Sequence, residues 1–269
     1  MGIHPRGRSV DASLLVPATA DAFSTWNASA YLATYYSRVE PTERHTLRFL
    51  HDAIGELPAT ARALDFGAGP TLHHAIALAS RVGELHVADL LPENLNALRR
   101  WHRRASGAHD WSAFTQAVLQ LDGVPAPTID DAQRREALVR ERLTRILPGD
   151  ARRRLPLGPG APKNYDCVTS FFCADSATSN LGDWRRLVLN ICGLLAPGGL
   201  LIMGALHRCN FWRLREKPLP SACIDEHHMH SVLDTAGFDR ASRRIQVCEV
   251  PDQASNGFES ILLVSARLT

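Results

Sequence analysis

A short apolar run over residues 62–66 ends in Gly67-Ala-Gly69 and leads into a helical stretch. Glycines at such a turn let the backbone bend tightly and approach a nucleotide-like ligand, because no Cβ intervenes. A dinucleotide fingerprint needs a third glycine at position 72, where this chain has Leu72, and Pro70 also departs from that pattern. There is no Gly-Lys-Ser/Thr either, which excludes a P-loop nucleotide hydrolase. Asp89 stands 22 residues after Gly67, at the tip of the next apolar run, where a carboxylate can accept hydrogen bonds from both hydroxyls of a ribose. Its other reading is a helix cap ahead of Pro92. A ribose bound without a pyrophosphate is what S-adenosylmethionine offers, and its sulfonium and amino groups suit carbonyls, carboxylates and aromatic faces.

Other residues carry weaker chemical signals. His109 and His207 are possible general bases, since an ordinary histidine pKa of about 6.5 suits neutral pH. His73-His74 follow the glycine turn and either touch the cofactor or cap and solvate the helix. Glu226-His-His-Met-His230 holds metal-ligating residue types, but only His227 and His230 share a helical face, so no metal is expected. Cys173 reads as a small packing residue, and nothing resembles a Ser-His-Asp elbow. Ser170-Phe-Phe-Cys173 lacks the Asn/Asp-Pro-Pro-aromatic motif of enzymes that methylate planar amino groups in DNA or glutamine.

Strands and helices must alternate to position these groups. Tyr31, Leu32, Tyr35 and Tyr36, then Leu47, Phe49, Leu50 and Ile54 after Pro41, recur at helical spacing and predict two short opening helices. Strands are predicted at 62–66, 85–89, 165–172 and 200–206, with helices at 71–81, 92–104 and 183–195, the last stopped by Pro197-Gly-Gly199. A helix at 225–236 precedes strands at 244–250 and 260–267, joined by a polar loop and paired antiparallel at the sheet edge. The alternation implies a mostly parallel sheet covered on both faces. Eight arginines lie between Arg134 and Arg154, but Asp130, Asp131, Glu136, Glu141 and Asp150 interleave with them, which predicts a solvated helical insertion near 128–147. The cluster at 99–104 is read the same way.

Composition bounds the class. With 269 residues, 45% hydrophobic and 22% charged, the chain can bury a sizeable core. The expectation is a flexible tail over 1–25 and one domain over 26–269. No run reaches about eighteen apolar residues and no signal peptide is readable, so a cytoplasmic protein without a membrane partner is expected. The six cysteines fall after the midpoint without a Cys-x-x-Cys pair and read as reduced thiols. Lys+Arg 30 against Asp+Glu 28 leaves too little charge to imply a nucleic-acid partner.

The segments 31–36, 65–71, 88–98, 107–112, 165–168, 173–175 and 194–199 resemble, in order, the small-molecule methyltransferase family of nicotinamide, phenylethanolamine, thioether and indolethylamine methyltransferases. The tyrosine-rich opening, the Gly-Pro-Thr turn and the Asp-Trp-Ser block together are specific to it. The resemblance implies a class I methyltransferase (Rossmann-like) α/β fold. Its seven-stranded sheet has the last strand antiparallel, with a helical lid over 26–57 and a sheet core over 58–269. It implies S-adenosylmethionine as methyl donor, S-adenosylhomocysteine as product and a small-molecule acceptor bound by a monomer. Tyr31, Tyr36, Gly67, Gly69, Thr71, Asp89 and Asn94 are then cofactor-binding residues, with Asp150 near the adenine amino group. The stretch from Phe171 to Ala177 walls cofactor and acceptor. Tyr35, Asp175, Gly204, Ala205, Arg208 and Phe211 are the expected acceptor-side residues.

One departure from the family bears on the acceptor. Gly204 stands where the nicotinamide enzyme has an acidic residue, and Arg208 lies just downstream. That combination favours an anionic or neutral acceptor and places methylation on oxygen slightly ahead of nitrogen, with specialised metabolism as a setting. N-methylation of an amine or pyridine-type acceptor is the alternative, and a catalytically silent cofactor-binding protein is the reading from another class.

Overall fold

The computed structural model describes residues 23–269; the tail expected over 1–25 falls almost wholly outside the described residues. The strands in chain order are β1 (Arg62–Phe66), β2 (Glu84–Asp89), β3 (Leu143–Pro148), β4 (Tyr165–Phe171), β5 (Leu195–Leu206), β6 (Phe211–Leu214), β7 (Lys217–Pro220), β8 (Arg244–Glu249) and β9 (Ser260–Arg267). Seven form one sheet in the order β3-β2-β1-β4-β5-β9-β8, and β6 and β7 form a separate ribbon. The pairs β1–β2, β1–β4, β2–β3 and β4–β5 are parallel, whereas β9 runs antiparallel to both β5 and β8. Strand order reverses between β1 and β4, so a crevice opens at the carboxyl ends of the central strands, the place where such sheets bind ligands.

The helices are α1 (Ala28–Tyr35), α2 (Pro41–Ala53), α3 (His73–Leu78), α4 (Pro92–His102), α5 (Ser112–Leu121), α6 (Ile129–Arg142), α7 (Leu181–Cys192) and α8 (Glu226–Ala236). Their starts are written locally. Asn27 and Asn180 cap α1 and α7 through side-chain oxygens, Thr128 with Asp131 and Asp225 with His228 form reciprocal caps, and prolines open α2 and α4. The core lies on both faces of the sheet. Along β5, Leu200, Ile202 and Leu206 join the cluster under α2 to α5, while Leu201, Met203 and Ala205 join the cluster under α7 and α8. That is the period-two alternation of a strand covered on both sides.

Several expectations shift. The Arg-rich helix stops at Arg142, and the following residues form β3 instead of continuing it. β-Branched Ile146 pairs with Val87 of β2, Thr144 falls in the register shift between Leu143 and Arg145, and Pro148 is tolerated because β3 is an edge strand. The helix after the glycine turn is cut to His73–Leu78, because Thr71 turns back to bond the Ala68 carbonyl through Oγ1 at 2.7 Å. β5 begins at Leu195 and runs through the Pro-Gly-Gly segment. The helix α5 and the β6–β7 ribbon were not expected. The loop between β8 and β9 contains a short 3-10 turn over Pro251–Asn256.

Gly204 has a steric reason to be glycine. It pairs with Phe171 on one side and Leu263 on the other, and a Cβ there would lie 2.5 Å from Phe171 Cδ1 and 3.3 Å from Leu263 Cδ2. The Phe171 ring is itself held by His74, stacked at 4.1 Å. Gly204→Ala should therefore cost about 1–3 kcal/mol of stability by overpacking. Gly204→Asp should cost more, since it adds a buried carboxylate without a partner. Denaturant unfolding checks both; an unchanged midpoint for Gly204→Ala would show that the Phe171 ring moves aside freely.

Candidate active site

The loops leaving β1, β2, β3 and β4 converge with α1 around a cavity of about 240 Å³. Tyr31, Tyr36, Gly67, Gly69, Thr71, Asp89, Asn94, Asp150, Phe171 and Ala177 all line it. The glycine turn takes left-handed backbone angles, with φ of 71° at Gly67 and 63° at Gly69. At Gly67 even free rotation would not rescue a side chain, because a Cβ would sit 2.2 Å from Cys173 Sγ. Cys173 thus packs into the turn, and burial pushes its thiol up to about 12, which removes it as a nucleophile.

Asp89 ends β2 and is only 7% exposed. Its Oδ2 accepts the Gly69 N–H at 2.8 Å, and its Oδ1 accepts the Leu91 N–H at 2.8 Å and the Asn94 side-chain amide at 2.9 Å. Burial raises its pKa, and these three donors oppose the rise. Asp89 therefore does cap the start of α4, and the same residue lines the cavity. Asn94 continues the network outward, since its Oδ1 accepts the Trp26 indole N–H at 2.7 Å. The Ala28 N–H bonds Glu93 Oε1 at 3.0 Å, and the Tyr35 hydroxyl bonds the Arg213 carbonyl, so the N-terminal helix is fastened to both α4 and the ribbon.

At the far end of the cavity Asp150 accepts both Arg152 Nε and Nη2, at 2.8 and 2.9 Å, and these bonds hold its carboxyl below the usual range. Arg186, the second arginine in the lining, pairs with Asp183 at 3.0 Å. The donor set fits an adenosyl sulfonium: a diol-sized carboxylate at Asp89, neutralised arginines, and the rings of Trp26, Tyr31, Tyr36, Phe172 and Trp212 for a cationic centre.

A second cavity adjoins the first. Tyr31, Tyr36, Phe172, Ser176 and Trp212 line both, and beyond them stand Tyr35, Thr42, Glu43, Leu206 and Phe258. Its walls come from α1, α2, the loop after β4, the end of β5, the ribbon and the β8–β9 connection. Burial raises Tyr31 to about 12 and also raises Tyr35 and Tyr36, so the phenols stay neutral.

Other expected residues line neither cavity. Both ring nitrogens of His207 are engaged, Nδ1 with Ser260 Oγ at 3.0 Å and Nε2 with Glu226 at 3.1 Å. His109 Nε2 lies 3.0 Å from the Tyr36 carbonyl, and burial lowers its pKa. Both histidines hold structure and neither is aimed at an acceptor. Arg208 is 66% exposed and pairs with Glu226 at 3.6 Å, outside the chamber. Gly204 and Ala205 are enclosed within the sheet. Asp175 is buried behind the wall, where its Oδ2 accepts the Leu206 N–H at 2.9 Å, and burial lifts its pKa to about 6. Phe211 points to the opposite face from Trp212, against Gly257; one position along a strand reverses the side chain. His73 and His74 are both buried, not solvated, and His74, unlike the residues above, lines the first cavity. Phe172 belongs to the expected 171–177 wall and lines both cavities, whereas sequence reasoning missed Trp26, Glu43, Trp212 and Phe258 as lining residues. Only the aromatic character of Trp26 and Trp212 near expected elements offered a signal.

A doubly wound sheet with a glycine turn after its first strand, a carboxylate ending its second and a helical cover defines a class I methyltransferase, and the enzyme uses S-adenosylmethionine. Solved structures agree on the fold. The N-methyltransferase NodS from Bradyrhizobium japonicum WM9, in complex with S-adenosylhomocysteine, superposes with a TM-score of 0.51 at 16% identity, covering 90% of this chain and 99% of that one. The chain belongs to the NNMT/PNMT/TEMT family, which it matches over residues 15–268. Among its relatives, the Bos taurus phenylethanolamine N-methyltransferase is 32% identical over 200 residues, 70% of this chain and 69% of the relative. The Sus scrofa nicotinamide N-methyltransferase is 27% identical over 231 residues, 81% and 84% respectively.

If Asp89 holds the ribose, Asp89→Ala removes a charge-assisted acceptor of about 1.5–3 kcal/mol and should weaken S-adenosylmethionine binding by about ten-fold or more. Calorimetric titration reads this directly, and an unchanged affinity would confine Asp89 to its capping role.

Proposed function

We propose that the protein transfers the methyl group of S-adenosylmethionine to a nitrogen of a small aromatic or heteroaromatic acceptor. The observation that carries this reading is the lining of the second cavity: aromatic rings, small or apolar residues and the carboxyl of Glu43, with no lysine, arginine or histidine among the described residues. An anionic acceptor buried there would find no counter-charge. An amine or pyridinium-like group would face π-clouds and an acid. The lean toward oxygen rested on Arg208 and on the missing acid at Gly204. Arg208 is paired elsewhere, and Gly204 makes room for Phe171. The names of the relatives, N-methyltransferases of phenylethanolamine and nicotinamide, support the same choice.

S-adenosylmethionine supplies an electrophilic methyl on its sulfonium. In this reading Asp89 holds the ribose, and Asp150 stands by the adenine amino group while remaining paired to Arg152. Tyr31, Tyr36, Phe172 and Trp212, which line both cavities, exclude water from the cationic centre and orient the nitrogen lone pair toward it. Positioning of this kind is worth about 7–11 kcal/mol in the best intramolecular systems. A pyridine nitrogen attacks with the lone pair it already carries, whereas an alkylammonium first gives its proton to solvent and then attacks the methyl as the neutral amine, with S-adenosylhomocysteine leaving.

The test is release of S-adenosylhomocysteine across matched acceptors. Aryl-ethylamines and pyridine carboxamides should turn over at least about ten-fold faster than aromatic acids and phenols of the same shape, which corresponds to about 1.4 kcal/mol. Arg208→Ala should leave amine turnover within about two-fold, as for an exposed ion pair. Faster turnover of the acids would return the reading to oxygen.

A further inference from the structure

The second cavity ends on a carboxyl group that methyl transfer as described does not use. Glu43 is the third residue of α2 and is 6% exposed. It shares the cavity wall with Tyr31, Tyr35, Tyr36 and Phe258. Among the described residues its enclosed Oε2 meets no hydrogen-bond partner, and neither does the neighbouring Thr42 Oγ1. An acid in the first turn of a helix gains from the helix dipole just as well when exposed to water. Enclosing it without a partner costs free energy that only a ligand would offset.

We infer that Glu43 is a specificity-determining residue that receives the ammonium group of a small aromatic acceptor at the end of the aromatic chamber. The inference rests on the second cavity being the acceptor site. A cation entering there passes Tyr31, Tyr35, Tyr36 and Phe258 and ends at the unpaired carboxyl of Glu43, a combination that selects positive charge over shape alone. Burial raises the Glu43 pKa to about 8, backbone N–H groups at Glu43 and Glu40 oppose the rise, and the acids Glu40 and Asp252 add to it. At pH 7 the group is therefore mostly the neutral acid in the free enzyme. Admission of an ammonium stabilises the carboxylate, so its O–H bond breaks and close to one proton passes to solvent for each ligand bound.

The experiment is calorimetric titration of 2-phenylethylamine and its uncharged analogue 2-phenylethanol into protein saturated with S-adenosylhomocysteine, at pH 7, in two buffers of different ionisation enthalpy. The wild type should prefer the amine by about ten-fold or more and release nearly one proton on binding it. Glu43→Gln should lose about ten-fold or more in amine affinity, hold the alcohol within about two-fold, release no proton and keep its affinity for S-adenosylhomocysteine. Equal losses for both ligands, a preference and proton release that survive the substitution, or no binding of the amine to the wild type would each overturn the inference. Folding of the variant is checked independently. Because the folded-state pKa of about 8 lies above the unfolded value of 4.5, the wild type loses stability as pH rises through that window. Glu43→Gln should therefore gain in melting temperature relative to the wild type from pH 4.5 to 8. If the amine binds as described yet no nitrogen acceptor yields S-adenosylhomocysteine, N-methylation fails and the role of Glu43 stands. If amines turn over while Glu43→Gln changes neither preference nor proton release, the reverse holds.

Discussion

A single buried carboxylate organises the cofactor side of this protein. Asp89 must be enclosed because it ends a central strand, and a carboxylate so enclosed is tolerable only when several donors reach it. The donors come from separate parts of the chain: the Gly69 N–H from the turn after β1, the Leu91 N–H from the start of α4, and the Asn94 amide one turn further on. Trp26 then joins through Asn94, so the cover over the site is tied to the same charge as its floor. The glycine turn, the register of β2 against β1 and the docking of α1 are in this sense one electrostatic arrangement.

The acceptor side is arranged by packing. The wall after β4 is fixed by Asp175, whose carboxylate holds the Leu206 N–H and whose carbonyl holds the Ala222 N–H at 3.0 Å. Phe172 sits beside it in a left-handed backbone conformation, φ 52°, bonded through its N–H to the Gly204 carbonyl at 2.7 Å. A non-glycine residue held at that angle stores strain that the surroundings must balance, and here it turns an aromatic ring toward both cavities.

The sequence disclosed the two halves of the site unequally, for a physical reason. Gly67, Gly69 and Asp89 sit in local geometry, a turn and a strand end, so their types and spacing announce them; the residues that the family resemblance assigns to the cofactor lie together around the first cavity. The second cavity, proposed for the acceptor, is assembled from distant segments, and no spacing connects Glu43 with Trp212 or Phe258. Gly204 was misleading because a glycine reports only that space is needed, not whether a ligand or a neighbouring ring fills it. Phe211 and Trp212 differ by one position in a ribbon strand that no periodicity revealed, and that position decides which of them faces the chamber. In the Arg-rich segment, helical charge spacing extended past Arg142 on paper, while pairing with β2 claimed the residues beyond it.

The wall shared by the two cavities has a thermodynamic consequence. Tyr31, Tyr36, Phe172, Ser176 and Trp212 cannot be ordered around one occupant without being ordered for the other. With donor in the first cavity and acceptor in the second, as proposed, the conformational entropy lost when one seats these rings would not be lost again when the other arrives, which favours positive cooperativity even without contact between them. Such coupling is reciprocal by linkage: whatever factor the donor adds to acceptor affinity, the acceptor adds to donor affinity.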